Sequence, residues 1–253
     1  MGGYDNDGQY ERHSIVRYER VFGDGYVSSG GHDATVWLFD QLSLPERPRI
    51  LDIGSGLGGF AFHVVDSTGG TVLGVDYAEL MVTLANERVG ERAGIAFKHG
   101  DIRTLDVEDG AFDCIWSRDS FLHIPEKAAV FARMRPWLRK GGQVLITDYA
   151  RSSGAVSAEF SAYANAGGYD LLGVEAYGEL FSAAGYSDVR AVDWTDRFVA
   201  GMQAEKAALL RNRASFTDAF SEADLDYLVA RWDDKIRWCG DGDMKAGLWM
   251  ARA

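Results

Sequence analysis

Cysteine and proline are scarce in this 253-residue sequence, which contains two cysteines and four prolines. Cys114 and Cys239 lie far apart and show no metal-ligand spacing, so we expect buried thiols in a reducing compartment and no metal site. So few prolines, without a repeat or a low-complexity tract, leave no linker at which to divide the chain. We therefore expect a single domain over residues 1–253.

Basic residues are also few relative to acidic ones: 26 lysines and arginines stand against 38 aspartates and glutamates, a net charge of −12. This charge opposes binding to nucleic acid or to an anionic membrane surface. No apolar run reaches membrane-spanning length, and the acidic, polar start MGGYDNDGQYERHS is unlike a signal peptide. These features predict a cytoplasmic protein whose partner is a small molecule, and they leave its oligomeric state open.

The sequence does contain short β-branched runs that alternate with segments of helical periodicity. The predicted strands are Ile50–Ile53, Val72–Val75, Ile95–Lys98, Phe112–Trp116, Val144–Thr147, 187–193 and Gly247–Met250. The predicted helices are 9–22, 32–43, 58–66, 79–89, 126–139, 199–211 and 221–235. This alternation is typical of an α/β fold with a mostly parallel sheet and helices on both faces.

The first predicted strand ends in a glycine-rich turn. Gly54, Gly56 and Gly59 fit the pattern G-x-G-x-x-G, with Asp76 at the end of the next strand, as in NAD-dependent oxidoreductases. Asp52, two residues before Gly54, would repel the pyrophosphate of a dinucleotide but attract the cationic amino-acid end of S-adenosylmethionine. We therefore predict S-adenosylmethionine as the cofactor, with an NAD-dependent oxidoreductase as the alternative.

Further polar residues follow the other predicted strands. Asp76 suits the two ribose hydroxyls, and Asp101 with Ile102 offers an acid and an apolar side chain to the adenine. His123, between Leu122 and Ile124, fits either a packed structural residue or a base. A binding protein without catalytic activity is a third interpretation, which the ionisable groups at this edge disfavour.

Six tyrosines lie before the sheet, at the end of the fifth strand or in the segment that follows. They are Tyr10, Tyr18, Tyr26, Tyr149, Tyr163 and Tyr169. Such tyrosines fit two interpretations: they pack down a lid, or they converge on a cleft where their rings surround an ammonium and their hydroxyls bind an anion.

Several segments together resemble the phosphoethanolamine N-methyltransferases, over nearly the whole chain. They are YERVFG at 18–23, YVSSGG at 26–31, LDIGSGLGG at 51–59, ANER at 85–88, SRD at 117–119 with LH at 122–123, and ITDY at 146–149. The resemblance implies a Rossmann-like, seven-stranded methyltransferase sheet with N-terminal helices and an inserted lid. The corresponding division is an N-terminal helical lid at 1–45, a cofactor-binding core at 46–149, a substrate lid at 150–183, and the rest of the core at 184–253.

The resemblance also implies roles for individual residues. Tyr10 and His123 match the family's catalytic pair, which helps to deprotonate the amine. The implied cofactor contacts are Val27, Ser28, Gly54, Asp76, Tyr77, Asp101, Ile102 and Arg118. To these we add Asp52, Gly56 and Ser117 from the glycine turn and the SRD element. The implied substrate contacts are Gln9, Tyr18, Asp119, Tyr149, Tyr163, Tyr169 and Lys235. The expected reaction is N-methylation of a small polar amine, with a phosphoethanolamine-type acceptor as the first choice.

One departure from the family bears on that choice. Between Tyr163 and Tyr169, where the family has an arginine for the substrate phosphate, this sequence has Ala166, Gly167 and Gly168. An arginine binds phosphate through a fork of donors, so its absence weakens the case for a phosphorylated acceptor. Candidates to replace it are Lys235, Arg197 and Arg151. A non-phosphorylated amine or a specialised metabolite is the alternative acceptor.

Overall fold

The computed structural model describes residues 11–253, and this part of the chain contains seven strands and ten α-helices. The strands are β1 (Arg49–Ile53), β2 (Thr71–Asp76), β3 (Ile95–His99), β4 (Phe112–Arg118), β5 (Leu138–Arg151), β6 (Ser187–Asp193) and β7 (Met244–Arg252). The helices are α1 (Arg12–Phe22), α2 (Gly31–Phe39), α3 (Gly59–Thr68), α4 (Glu79–Arg88), α5 (Lys127–Met134), α6 (Ala158–Ala166), α7 (Val174–Ala183), α8 (Thr195–Arg211), α9 (Arg213–Thr217) and α10 (Glu222–Asp241).

All seven strands form one sheet in the order β3-β2-β1-β4-β5-β7-β6. Strands β1 to β5 run parallel, whereas β7 is antiparallel to both of its neighbours, β5 and β6. The predicted seven-stranded α/β fold is therefore confirmed. The strand order reverses between β1 and β4, and ligands of open α/β sheets bind at the carboxyl ends of the strands beside such a reversal.

Alternate residues of the central strands enter two apolar layers, one on each face of the sheet. In β1, Ile50 packs into one layer and Leu51 into the other. Trp116 of β4 stacks on Phe60 of α3, with ring centroids 4.0 Å apart. Because both faces of the sheet are covered by helices, its strands read as nearly continuous apolar runs.

The fifth predicted helix, 126–139, is wrong at its end. The α-helix α5 stops at Met134, a 3₁₀ turn covers Arg135–Trp137, and β5 begins at Leu138. Pro136 explains the break, because proline has no amide hydrogen to continue the helical bonding and its ring clashes with the preceding turn.

The predicted substrate lid, 150–183, contains two different structures. Its first part carries α6 and leads to Tyr169, whose ring faces the cavity described below. Its second part is α7, whose Tyr177 is fully buried and stacks on Trp249 of β7 with centroids 3.9 Å apart. In packing terms α7 belongs to the core. None of the helices within residues 11–253 is long and apolar enough to cross a membrane.

Candidate active site

A cavity of about 490 Å³ opens at the carboxyl ends of the parallel strands, beside the reversal in strand order. Its floor is formed by the ends of β1, β2 and β4, and its walls include residues of α1, α8 and α10. A volume of this size matches the sites of small-molecule ligands and cofactors in proteins.

The glycine turn after β1 lies directly against this cavity. Gly54 has a positive φ of 72°, and a Cβ atom on it would lie 1.9 Å from the Ser120 hydroxyl oxygen. Its amide donates to the Val75 carbonyl at 2.8 Å, which ties the turn to the end of β2. Both the backbone conformation and the close contact therefore require glycine at position 54.

Asp76, at the end of β2, fixes the shape of the same turn. Its two carboxylate oxygens accept hydrogen bonds from the amides of Gly56, at 2.8 Å, and Ala78, at 2.9 Å. Burial raises the pKa of Asp76, while these backbone donors lower it. Each carboxylate oxygen has a second lone pair, so the group can also accept from a pair of ribose hydroxyls.

Asp52 lies behind the glycine turn and does not line the large cavity. It borders a smaller cavity of about 50 Å³ together with Gly54 and Ser55. Burial raises the pKa of Asp52 well above its ordinary value, and the neighbouring Asp76 adds to the rise. Asp52 Oδ2 and Ser55 Oγ are buried and have no hydrogen-bond partner among residues 11–253. Buried polar atoms are almost always hydrogen-bonded, so this pair fits a ligand amino group, direct or through water, as S-adenosylmethionine would supply.

The third strand end offers one acidic and one apolar side chain. The Asp101 carboxylate accepts a forked pair of bonds from Arg103 Nε and Nη2, at 2.9 and 2.6 Å. This pairing lowers the pKa of Asp101 and keeps it ionised. Ile102 beside it is buried, whereas Tyr77 at the mouth is half-exposed. The lining at this end suits the polar edge and the flat face of an adenine.

Residues 23–31, which we call the cap loop, cover the glycine turn. The buried Arg118 and the partly buried Glu205 hold this loop at Ser29 and Gly30. The Arg118 guanidinium donates to the Ser29 carbonyl at 2.7 Å and to the Thr35 hydroxyl at 2.8 Å. Glu205 of α8 accepts from the Ser29 hydroxyl at 2.6 Å and from the Gly30 amide. The family resemblance gave Arg118 as a cofactor contact, and the structure adds that it anchors the cap loop.

The opposite end of the cavity begins at Asp119, immediately after β4. Asp119 has a φ of +52°, its amide donates to the Thr147 carbonyl at 2.8 Å, and its carboxylate accepts from the Thr147 hydroxyl at 3.3 Å. Left-handed backbone at a non-glycine residue costs on the order of 1–3 kcal/mol and concentrates at functional sites. Burial raises the pKa of Asp119, and the charges of Arg118 and Lys235 oppose that rise.

His123 lies on the 3₁₀ turn Phe121–His123 and faces the lid. Its ring meets Tyr169 edge-on, with centroids 5.2 Å apart. Burial, followed by the charge of Lys127, lowers the pKa of His123 to about 4. The imidazole is therefore neutral at pH 7.

Helix α10 contributes two cations to the cavity wall, Arg231 and Lys235. Lys235 Nζ donates to the Tyr149 hydroxyl at 2.7 Å. Sequence reasoning missed Arg231, although its four-residue spacing from Lys235 puts both on one helix face. Of the two arginines it proposed as replacements, Arg197 lies over the Trp37 ring at 4.0 Å and Arg151 donates to the Gly154 carbonyl at 3.1 Å; neither lines the cavity.

Most of the predicted site residues within residues 11–253 meet in this one cavity. Those at the cofactor end are Val27, Ser28, Gly54, Gly56, Asp76, Tyr77, Asp101, Ile102 and Arg118. Those at the other end are Tyr18, Asp119, His123, Tyr149, Tyr169 and Lys235.

Other predicted residues lie elsewhere. Ser117 is fully buried in β4 and donates to the Ile53 carbonyl at 2.7 Å. Tyr163 lies behind Tyr169, packed on Trp238 with centroids 4.6 Å apart. Gln9 and Tyr10 lie outside the described residues. Further lining residues that sequence reasoning did not name include Ser29, Met81, Ser120, Met202 and Trp232. No group of three or more potential metal ligands is found among residues 11–253.

This fold and site are those of the Rossmann-like, S-adenosylmethionine-dependent methyltransferases. Residues 50–142 match the family model described as "Methyltransferase domain". The chain is 34% identical to phosphoethanolamine N-methyltransferase of Plasmodium falciparum over 95% of this chain and 91% of that protein. It belongs to the phosphoethanolamine N-methyltransferase family, and this membership decides for S-adenosylmethionine over NAD.

Two further relatives differ in length from this chain. Phosphoethanolamine N-methyltransferase 1 of Triticum aestivum is 41% identical over 96% of this chain and 49% of its own length. This chain thus spans about half of the plant relatives that it matches. A solved structure of Haemonchus contortus phosphoethanolamine N-methyltransferase 2, with phosphomonomethylethanolamine and S-adenosylhomocysteine, superposes with a TM-score of 0.95 at 28% identity, covering 100% of this chain and 60% of that one.

Proposed function

We propose that the protein transfers a methyl group from S-adenosylmethionine to the nitrogen of a phosphoethanolamine-type acceptor. One observation carries the proposal: a single cavity joins the glycine turn and its acids to a second end lined by Asp119, His123, Lys235 and tyrosines. Methyl transfer needs donor and acceptor in line within one enclosed space, and such positioning supplies a large part of the rate enhancement.

At the cofactor end, the side chains divide the work. Asp52 and Ser55 face the amino-acid part, Asp76 accepts from the ribose, and Asp101 with Ile102 frames the adenine. The cofactor, when bound, supplies a methyl group on a cationic sulfur, which is open to attack by a nitrogen lone pair. The buried carboxyl groups of Asp52 and Asp76 also favour a cationic cofactor over a dinucleotide, because a bound cation stabilises their charged form.

At the acceptor end, the amine must lose a proton before its nitrogen has a lone pair. Asp119 is the acid that holds the ammonium, and the neutral His123 imidazole has a nitrogen that accepts the proton. Tyr10 completes this pair by family resemblance. The ring of Tyr169, edge-on to His123, closes the space around the amine and keeps water out.

The chemistry of the far wall favours an anionic group on the acceptor. Arg231, Lys235 and three tyrosines all line the cavity; the tyrosines are Tyr18, Tyr149 and Tyr169. Cationic and hydroxyl donors of this kind bind phosphate. The relatives named as phosphoethanolamine N-methyltransferases point to the same class of acceptor, an ethanolamine bearing a phosphate.

The net charge and the two cysteines bear on the partners and the location of the protein. The net charge of −12 disfavours nucleic acid and anionic membranes as partners. Cys114 and Cys239 are both buried and free, which agrees with a reducing, cytoplasmic location.

The test is a methylation screen of the purified protein with S-adenosylmethionine, scored by release of S-adenosylhomocysteine. The acceptors are phosphoethanolamine, its mono- and dimethyl forms, ethanolamine and other small amines. We expect turnover on at least one phosphorylated acceptor, with ethanolamine at least about a hundredfold poorer in kcat/KM, as the loss of a charged contact implies. Methylation of unphosphorylated amines alone would reject the proposed acceptor and support a non-phosphorylated amine or a specialised metabolite.

A further inference from the structure

The lid has no space for a long side chain at Gly167, within the stretch where the family resemblance led us to expect an arginine. A Cβ atom on Gly167 would lie 2.6 Å from two carbons of the Tyr169 ring. Tyr169 therefore fills the volume beside Gly167, and a long side chain there would have to displace it. The lid therefore contains no empty space at position 167 that an arginine side chain could occupy.

Arg231 of α10 lies close to one of the lid tyrosines, Tyr163. Its guanidinium carbon lies 5.4 Å from the Tyr163 ring centroid and 5.7 Å from that of Tyr227. It is half-buried and lines the cavity. It makes no ion pair with an acidic side chain among residues 11–253, in contrast to Arg237 six residues later, which binds both Glu159 and Asp234. A partly buried cation without a carboxylate is costly to keep, and an incoming anion would compensate it.

The neighbouring cation, Lys235, also favours the binding of an anion beside Arg231. Lys235 lies one helical turn beyond Arg231 on the same face of α10, with its ammonium on the Tyr149 hydroxyl. The positive charge of Arg231 helps to lower the pKa of Lys235, after the larger effect of burial. Two like charges that face one cavity repel each other, and an anion between them would replace that repulsion with two attractions.

The third cation of the cavity, Arg118, already donates its hydrogen bonds to other residues of the protein. Arg118 directs its two terminal nitrogens at the Ser29 carbonyl, the Gly31 carbonyl and the Thr35 hydroxyl. It holds the cap loop and has no terminal nitrogen to spare for a substrate phosphate. The other arginine that lines the cavity within residues 11–253 is Arg231, whose guanidinium has tyrosine neighbours and no acidic partner.

We propose that Arg231 of α10, together with Lys235, binds the phosphate of the acceptor. This inference rests on the proposed function. Arg231 is then the residue that sets specificity for a phosphorylated over an unphosphorylated amine, because a guanidinium offers phosphate two parallel hydrogen bonds.

The experiment compares Arg231→Gln and Arg231→Lys with Arg237→Gln, a matched change on the same helix outside the cavity. Steady-state kinetics are measured with phosphoethanolamine and with ethanolamine, alongside melting temperature and calorimetric affinity for S-adenosylmethionine. For Arg231→Gln we expect the KM for phosphoethanolamine to rise on the order of 10- to 100-fold, as for loss of a hydrogen bond to a charged group. Arg231→Lys should fall between, while kcat/KM for ethanolamine and cofactor affinity change by less than about threefold.

Inorganic phosphate as a competitive inhibitor gives a second readout that does not need the reacting amine. Its inhibition constant should rise in parallel with the KM in Arg231→Gln and stay unchanged in Arg237→Gln. If Arg231→Gln does not fold, Arg231→Lys decides through the same two constants.

The two possible failures are distinct. A wild-type protein inactive on every phosphorylated amine overturns the proposed function and this inference with it. A wild-type protein active on phosphoethanolamine, with Arg231 variants whose KM and inhibition constant are unchanged, overturns the inference alone.

Discussion

The ammonium of Lys235 donates a 2.7 Å hydrogen bond to the hydroxyl of Tyr149, and the same nitrogen lies 4.6 Å from the centroid of the Tyr149 ring. This contact joins the penultimate element of the chain, α10, to the end of the central strand β5. Burial and the nearby Arg231 lower the pKa of Lys235 to about 7.

Lys235 should make stability depend on pH. Its pKa is about 7 in the folded protein and 10.5 in its ordinary state, so between these values the unfolded chain binds the additional proton. The free energy of unfolding should therefore rise with pH through this window, by at most about 1.4 kcal/mol per pH unit from this group. Urea unfolding from pH 6 to pH 10 should show the rise in wild type relative to Lys235→Met. Lys140→Met, which replaces an exposed lysine, is the control and should keep the wild-type rise. If Lys235→Met and the wild type showed the same pH dependence of unfolding free energy, the assigned burial effect would be contradicted.

Glu205 should control the cap loop. Glu205→Ala removes the acceptor of the Ser29 hydroxyl and the Gly30 amide, so the loop over the glycine turn loses two of its hydrogen bonds. We expect faster amide hydrogen exchange in residues 23–31 and roughly tenfold weaker binding of S-adenosylmethionine, as for loss of hydrogen bonds to a charged group. Glu222→Ala, an exposed glutamate paired with Arg213, is the control. Unchanged exchange and affinity in Glu205→Ala would show that the loop does not depend on Glu205.

Gly54→Ala should separate backbone strain from steric conflict. Gly54 and Gly110 both have positive φ, 72° and 66°, but a Cβ meets Ser120 at 1.9 Å at the first position and open space at the second. Gly110→Ala should cost about 1–2 kcal/mol of stability, the cost of a left-handed alanine. Gly54→Ala should cost more and should also abolish measurable cofactor binding by calorimetry. Equal losses in the two variants would mean that the turn adjusts to the added methyl.

His123 should matter for turnover and not for cofactor affinity. We expect His123→Gln to lower kcat on the order of a hundredfold, the usual contribution of a general base, with affinity for S-adenosylmethionine within about threefold. Because burial and Lys127 lower its pKa to about 4, loss of activity from protonation of His123 should begin only as the pH falls towards 4, and not near 6.5.

Tyr10→Phe should show the same split between turnover and affinity. His13→Gln, an exposed histidine bound to Asp224, is the control for both variants. Full turnover on the true acceptor in both His123→Gln and Tyr10→Phe would remove this pair from the mechanism.

The strand ends and the fold class could be read from the sequence because both depend on local patterns. Apolar runs and turn residues define β1 to β4, and parallel strands bring their carboxyl ends to one edge wherever they are joined by helices. The glycine turn, Asp76 and Asp101 were therefore found at the cavity without any knowledge of side-chain packing. The single-domain division of residues 1–253 and the roles of the site residues stay predictions.

The sequence could not show which way the side chains of α10 and of the lid face in the folded protein. The periodicity of α10 shows that Arg231 and Lys235 share a face, but only packing against α8 and the lid turns that face to the cavity. Likewise, Tyr163 and Tyr169 look equivalent in the sequence, since both are tyrosines of the predicted lid. In the structure Tyr169 lines the cavity and Tyr163 packs behind it. The sequence alone determined the sheet and the cofactor end, because they follow from local backbone preferences. The tertiary structure decided which cations face the acceptor, since that depends on how distant helices close over the sheet.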